Sequence, residues 1–301
     1  MLHQVPKLEK AQRLDLYLID LYPQTSRSYW KKHLENSILL NQRKAKKGDQ
    51  VRGGESVNIL YEPQIGTGFL KANPHIPIEV IYEDPYLLAL NKAPGLHCVP
   101  LDYEEDSSLV NGLLARYPEQ REVENKLDCG LLQRLDQETS GLILVARHAK
   151  IKEAYLKQQE KYQVFKEYLA WVEGVPNQKE GIIKKPLAHD PKDPKKMLVI
   201  HDEKETKKLK VQEAISQWQL LKSQGSHSLL RIGIFKGKRH QIRVHLANLG
   251  HPILGDSLYG SKKEQRLLLH AEKIRMKHPK SQDKLYLSAP CPTDFRPKAK
   301  P

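Results

Sequence analysis

Cysteine is scarce. Cys98, Cys129 and Cys291 are the only three in 301 residues, and no two stand at C-x-x-C spacing. That excludes a zinc knuckle and a disulfide framework, and leaves each as a reduced, partly buried thiol. Long hydrophobic runs are missing as well. No stretch approaches the ~20 apolar residues of a spanning helix, and no uninterrupted amphipathic helix dominates. Residues 1–10 carry Pro6 and charges where a signal peptide has an apolar core. A cytoplasmic protein with no membrane partner is the expectation. Acidic residues are outnumbered: 36 Asp and Glu face 50 Lys and Arg, a net charge of +14. A surplus of that size seeks a polyanion, with nucleic acid ahead of acidic membrane. At 39% hydrophobic the chain still buries a real core and is long enough for two domains.

Leu14, Leu18 and Leu21 fall at i, i+4 and i+7, an apolar stripe on a short helix that stops at Pro23. Thr25 or Ser26 caps a second helix over 27–36, with Trp30 and Leu34 inward and Arg27 and Lys31 together on another face. Strands are predicted at 38–40 and 56–60, separated by a loop with four positive charges at Arg43, Lys44, Lys46 and Lys47. Pro63, Gly66, Gly68, Pro74 and Pro77 then mark a linker and a domain boundary. Beyond it come strands at 78–82 and 86–90, a Gly95 turn, a helix at 108–116, a helix at 149–160 and a strand at 165–172. Period two places Lys166, Tyr168, Ala170 and Val172 on one side of that last strand. Residues 176–210, lysine-rich and broken by Pro186, Pro191 and Pro194, read as surface loops or a loose hairpin. Strands follow at 218–221 and 229–235. A helix then has Ile242, Leu246 and Leu249 as its core stripe, Arg239 and Arg243 one turn apart, and Gly250 with Pro252 at its end. Residues 294–301 read as a disordered tail.

The stretch Leu131–Ala146 concentrates the chemistry. It sets Asp136 beside Arg134 in a polar turn through Thr139, Ser140 and Gly141, just before an apolar, β-branched run that reads as a buried strand. A carboxylate there is either a turn former or an acid held at the lip of a pocket.

Two sets of motifs decide between these. Arg13-Leu14-Asp15, Ser26-Arg27-Ser28, Ile38-Leu39-Leu40-Asn41 and Gly48-Asp49 resemble the alpha-L RNA-binding domain over residues 12–60. That resemblance implies RNA contacts at Arg27, Lys31, Lys32, Arg43, Lys44 and Lys46. The second set is larger. Asn91-Lys92-Ala93-Pro94-Gly95-Leu96, Arg134-Leu135-Asp136 with Thr139-Ser140-Gly141, Lys166-Glu167-Tyr168-Leu169-Ala170, His240-Gln241-Ile242-Arg243-Val244-His245, Gly250-His251-Pro252-Ile253-Leu254-Gly255-Asp256 and Leu269-His270-Ala271 resemble the RluA family of pseudouridine synthases over 78–291.

The resemblance implies isomerisation of uridine without cofactor or metal: the base is detached from ribose, turned and rejoined through carbon. Asp136 matches the catalytic aspartate, Arg243 the arginine that pairs with it, and Tyr168 the tyrosine that stacks on the target base. Arg134, Leu269, Lys238 and Arg239 are implied to bind substrate, the last two at a helix start that seats phosphate. Two departures stand out. Gln133 replaces the usual histidine, an amide that cannot change charge, and Lys236-Gly237-Lys238-Arg239 replaces Thr-Gly-Arg and a small polar residue.

The implied fold is α+β. An alpha-L RNA-binding domain spans 1–62 and a linker 63–77. A catalytic domain on a mixed, largely antiparallel sheet flanked by helices spans 78–292, followed by a tail, 293–301. The expected protein is a monomer whose partner is large-subunit ribosomal RNA or its assembly intermediate. A metal hydrolase built from His240, His245, His251, Asp256 and His270 lacks any H-E-x-x-H pattern, and residues 233–238 lack the spacing of a phosphate loop. A non-catalytic RNA-binding or ribosome-assembly factor on the same fold explains the charge equally well, but not Asp136, Tyr168 and Arg243 together.

Overall fold

The computed structural model describes residues 1–23, 25, 27–61, 70–101, 103, 105–123, 127–201, 209–260, 264 and 266–297, with the side chains of residues 28 and 32 left out. The expected cap at Ser26, the Lys32 side chain, residue 62 and 63–69 of the linker, 202–208 and the end of the tail lie outside the described residues. The chain divides into two compact units, residues 1–77 with 99–129, and residues 78–98 with 130–301.

In the first unit, strands β1 (Leu2–Gln4) and β2 (Gln12–Arg13) precede helices α1 (Leu14–Leu21) and α2 (Arg27–Ser37). Strands β3 (Ile38–Leu40), β4 (Arg43–Lys44), β5 (Gln50–Val51) and β6 (Ser56–Ile59) follow. Leu14 and Leu18 of α1 and Trp30 and Leu34 of α2 are buried against Ile38, Val57 and Ile59, each apolar side chain contributing roughly 1.5–3 kcal/mol. Trp30 Nε1 donates to Thr25 Oγ1 at 2.6 Å, so the indole enters the core with its polar group satisfied. The expected loop after β3 is instead a tight hairpin. Asn41 and Gln42 both take positive φ, 48° and 64°, the two-residue turn whose twist matches paired strands, and Leu40 pairs with Arg43. Helix α3 (Leu109–Arg116) buries Leu109, Leu113 and Leu114 as its spacing demands. The Asn111 amide oxygen accepts from the Ser108 backbone N–H at 2.9 Å and closes the helix start.

The second unit is built on one mixed sheet of the described residues, ordered β11-β14-β15-β10-β16-β9-β8-β7, with β17 also paired to β16. Its strands are β7 (Glu79–Glu83), β8 (Leu87–Lys92), β9 (Ser140–Ala146), β10 (Phe165–Glu173), β11 (Glu180–Lys184), β14 (Ile215–Gln224), β15 (His227–Ile234), β16 (Leu269–Lys277) and β17 (Lys284–Ser288). A separate hairpin pairs β12 (Leu187–His189) with β13 (Met197–Val199). All pairings in the large sheet are antiparallel except β9 with β16. Every residue of β9 is buried, as its continuous apolar run requires. Helix α4 (Ala149–Glu160) packs Ile151 and Tyr155 onto Leu142, Leu144 and Ile274.

Four readings of the sequence change in this unit. Residues 180–184 are a strand at the sheet edge, and Pro186, Pro191 and Pro194 flank the strands around them without breaking any. Helix α5 (Gln241–Asn248) buries Ile242 and Leu246, but Leu249 is 38% exposed because the helix ends one residue before it and Gly250 turns the chain at φ 89°. Arg239 is out of helical phase with Arg243, since His240 between them is left-handed at φ 53°. At the C-terminus, Phe295 is buried and Asp294 pairs with Arg266 at 2.8 Å, so the described start of the expected tail is ordered.

Candidate active site

Asp136 opens the turn that feeds β9, with its carbonyl accepting from Thr139 N–H at 3.0 Å. Gly141, two residues beyond that turn's end, sits where β9 meets β16. Its φ is 113° and an added Cβ would overlap the Ala271 backbone, so only glycine allows the two strands to approach there. The residues on either side of Asp136 are tethered to segment 92–98. Cys98 Sγ lies 3.2 Å from both Leu135 N and Leu135 O, and Gly95 and Gln137 exchange two bonds of 2.9 and 3.0 Å. Lys92, 1% exposed, spends its three ammonium protons on the carbonyls of Ala93, Leu96 and Gln137 at 2.7–2.9 Å. Burial pulls its amine down to about 8, against the charges of Cys98, Glu138 and Asp136. The carboxylate therefore projects from a turn with little freedom to move.

Arg243 meets that carboxylate from α5. Its Nη1 donates to Asp136 Oδ2 at 3.1 Å, while Nε and Nη2 donate in parallel to the two oxygens of Asp256 at 2.9 and 2.8 Å. Asp256 has no side-chain exposure and also accepts from the N–H groups of Leu258 and Tyr259. Asp136 is 27% exposed. Burial works against the guanidinium's charge, but the bonds and charge of Asp256, then of Asp136, raise its pKa and keep it a cation. The arrangement is an anion–cation–anion row with one anion sealed inside and the other at the surface.

Tyr168 on β10 is buried. A register shift opposite it, where β16 carries Glu272 as an extra residue, sets the local direction of the strand. Burial, with the charge of Asp136 and then Cys98 adding, raises its phenol pKa, so the ring stays neutral. Gln133 is held at both ends of its amide: Tyr155 O–H donates to its Oε1 at 3.0 Å and its Nε2 donates to Leu142 O at 3.2 Å. It ties the site turn to α4 and β9. Leu269 is buried at the start of β16, and neighbouring His270 meets Ser140 Oγ at 3.0 Å beneath the same crossing. Arg134 is exposed. Lys238 is half-buried, and Arg239 donates to the carbonyls of Pro194 and Lys195 at 3.2 and 3.1 Å, docking the loop between β12 and β13 beside α5.

The residues expected to contact RNA in the first unit divide into two groups. Arg27 is paired with Asp15 at 2.8 Å, and Arg43 makes two parallel bonds to Asp49 at 2.9 and 3.0 Å. Lys31, Lys44 and Lys46 are exposed; the Lys46 backbone N–H donates to Asp49 Oδ2 at 2.8 Å, which leaves its ammonium group at the surface. The histidines considered as metal ligands are dispersed: His245 bonds Ser216 and Lys185, His251 bonds Glu173, and His270 bonds Ser140. Among the described residues no cluster of three His, Cys, Asp or Glu could hold a metal ion, and no helix is long and apolar enough to cross a membrane. An open groove of about 550 Å³ in the second unit, lined by Phe165, Glu167, Trp218 and Arg231, contains none of the expected catalytic, substrate-binding or RNA-binding residues.

Sequence reasoning did not assign roles to Asp256, His240, Lys92 or Cys98. The first three lie inside quoted motifs, but their pairings cross from one motif to another, which spacing within a motif does not reveal. Cys98 carried no signal beyond its burial.

Residues 86–248 match the family model described as RNA pseudouridylate synthase. A protein of Chloroflexus aurantiacus named an uncharacterized RNA pseudouridine synthase is 34% identical over 297 residues, covering 97% of this chain and 90% of that one. The ribosomal large subunit pseudouridine synthase D of Xanthomonas campestris is 32% identical over 309 residues, covering 97% and 89%. Among solved structures, the human RNA pseudouridylate synthase domain containing 4 superposes with a TM-score of 0.57 at 25% identity, over 72% of this chain and 90% of that one.

Proposed function

Because the chain belongs to the RNA pseudouridylate synthase family and is an enzyme of that class, we propose that it isomerises specific uridines of large-subunit ribosomal RNA with Asp136 as the catalytic carboxylate. The observation that carries this reading is the Asp136–Arg243–Asp256 row. A guanidinium locked from behind by a sealed carboxylate binds a second carboxylate and aims it outward. In the net reaction the bond between ribose and a ring nitrogen breaks, a bond from ribose to a ring carbon forms, that carbon loses its proton and the nitrogen gains one. An ionised carboxylate serves by attacking ribose or base, or by taking a ribose proton. Tyr168 is assigned to stack on the flipped uracil, a contact worth ~1–3 kcal/mol, set against a few kcal/mol of unstacking. Arg134, Lys238 and Leu269 are assigned to the substrate's immediate surroundings. Arg239, already bonded to the β12–β13 loop, is assigned to shape that edge of the site.

Residues 1–62 are assigned as an alpha-L RNA-binding domain, 63–77 as linker, 78–292 as the catalytic domain and 293–301 as a tail. Exposed Lys31, Lys44 and Lys46 suit phosphate contacts. The same surface charge serves a non-catalytic assembly factor, but such a factor has no use for a buried guanidinium holding a carboxylate in an otherwise cationic chain. The test is conversion of uridine to pseudouridine in ribosomal RNA by purified protein. Asp136→Asn is expected to abolish conversion and leave RNA affinity within a few-fold. Full activity in that variant overturns the assignment.

A further inference from the structure

The Asp136 carboxylate has two oxygens, and Arg243 takes only Oδ2. Facing Oδ1 at 4.0 Å is Nε2 of His240. The imidazole reaches that place by an unusual route. His240 is a non-glycine residue in the left-handed conformation, φ 53° and ψ 16°, at the start of α5. Such a residue carries strain that the surrounding contacts must outweigh. Those contacts are specific. Nδ1 lies 2.8 Å from the Tyr259 hydroxyl, and that hydroxyl accepts from the Met197 backbone N–H at 2.7 Å. With one lone pair of the phenol oxygen occupied, its proton is available for Nδ1. A neutral imidazole that accepts at Nδ1 carries its own proton on Nε2, the nitrogen facing Asp136.

We propose that His240 is a positioning residue for the isomerisation: a neutral imidazole, its tautomer fixed by Tyr259, whose Nε2–H holds the second oxygen of Asp136 as the site closes on substrate. It rests on the reading of Asp136 as the catalytic carboxylate. The 4.0 Å gap is one that a small rotation of either side chain closes, and bonds in a catalytic site commonly tighten when substrate enters. The charged and titratable groups facing the ring are Asp136 from the catalytic turn, Arg243 of α5, Arg239 of the preceding loop, and Asp256 and Tyr259 from the loop after α5. Burial is foremost in lowering the imidazole's pKa, and Arg243 and Arg239 add to it against the pull of Asp136 and Asp256. An imidazolium in this place would draw Asp136 into a charge-assisted pair and blunt its reactivity. Keeping the ring neutral avoids that.

Three variants test the proposal on large-subunit ribosomal RNA transcribed in vitro, with Asp136→Asn as control and melting curves for each. Asn tolerates the left-handed conformation but is too short to reach Oδ1, so His240→Asn is expected to fold and to lose about 100-fold in kcat with KM little changed. His240→Gln, whose amide N–H reaches the same oxygen, is expected to recover roughly tenfold of that loss. Tyr259→Phe frees Nδ1 for protonation, so the acid limb of the kcat profile should move to higher pH, which a merely structural role would not produce. Full kcat in His240→Asn, no recovery with Gln, or an unmoved acid limb in Tyr259→Phe overturns the role of His240. An active Asp136→Asn overturns the reading beneath it.

Discussion

Replacing Asp256 with Asn exchanges a charge for an amide of the same shape in the most deeply buried part of the site. Asp256 has no exposed side-chain surface and holds Arg243 by two bonds, whereas Asp136 shares the same guanidinium from a position 27% exposed. Removing one member of a buried ion pair costs about 3–5 kcal/mol, because the remaining charge is stranded at low dielectric. Asp136 still neutralises part of Arg243, and Asn keeps an oxygen for the Leu258 and Tyr259 N–H groups. The lower end, about 3 kcal/mol, therefore applies. For a unit of this size that is a fall in Tm of roughly 6–12 °C. Asp136→Asn, at the wetter end of the same row, should cost less than about 1 kcal/mol. Urea unfolding of both variants, beside turnover on ribosomal RNA, reads the contrast. One variant should be stable and inactive, the other destabilised and, where folded, slowed. Equal stability losses, or a larger loss at Asp136, would refute the idea that burial sorts the two carboxylates.

Other consequences are as direct. Tyr155 and Tyr168 have pKa values raised above the ordinary 10.0, chiefly by burial. The folded state therefore keeps protons that the unfolded chain loses above about pH 10. Stability is intact below that pH and falls as pH rises beyond it, by up to ~1.4 kcal/mol per unit for each ring. Tyr155→Phe should flatten the fall in an alkaline unfolding titration, and an unchanged slope contradicts this. Replacing Lys31, Lys44 and Lys46 together by Ala should reduce the slope of log K against log salt for RNA binding by about 2, at roughly 0.7 per single-stranded phosphate contact. Arg27→Ala with Arg43→Ala should change it less, since Asp15 and Asp49 already neutralise those guanidinium groups. Equal effects would show that these ion pairs open on binding.

Much of the fold was legible because periodicity encodes burial. The unbroken apolar run of β9 had to be an interior strand, and Leu109, Leu113 and Leu114 had to face inward from one helix. At Asp136 the local pattern left a turn former and a pocket acid equally open, and only the family resemblance of the motifs around it singled the residue out. Periodicity was silent on partners. Nothing in the spacing says that Arg27 and Arg43 are matched by acids of their own unit, or that Arg243 is clamped by a residue 13 positions on. Left-handed backbone at His240 was equally hidden, and it removed Arg239 from the helix face the spacing gave it. Leu249 failed for a related reason: a stripe extrapolated past the helix end counts a residue that no longer shares the helix's rotation.

The crossing of β9 and β16 bears on when the enzyme becomes active during its own synthesis. The turn carrying Asp136 is completed by contacts reaching forward 107 residues to Arg243 and 130 residues from Ser140 to His270. At roughly 5–20 residues per second, the turn leaves the ribosome some 7–26 s before the strand that braces it. Contacts of such long sequence separation also form slowly once available. A truncated or stalled chain lacking β16 therefore has Asp136 without its bracing strand. If Asp136 is the catalytic carboxylate, competence is conferred late, by the C-terminal strands.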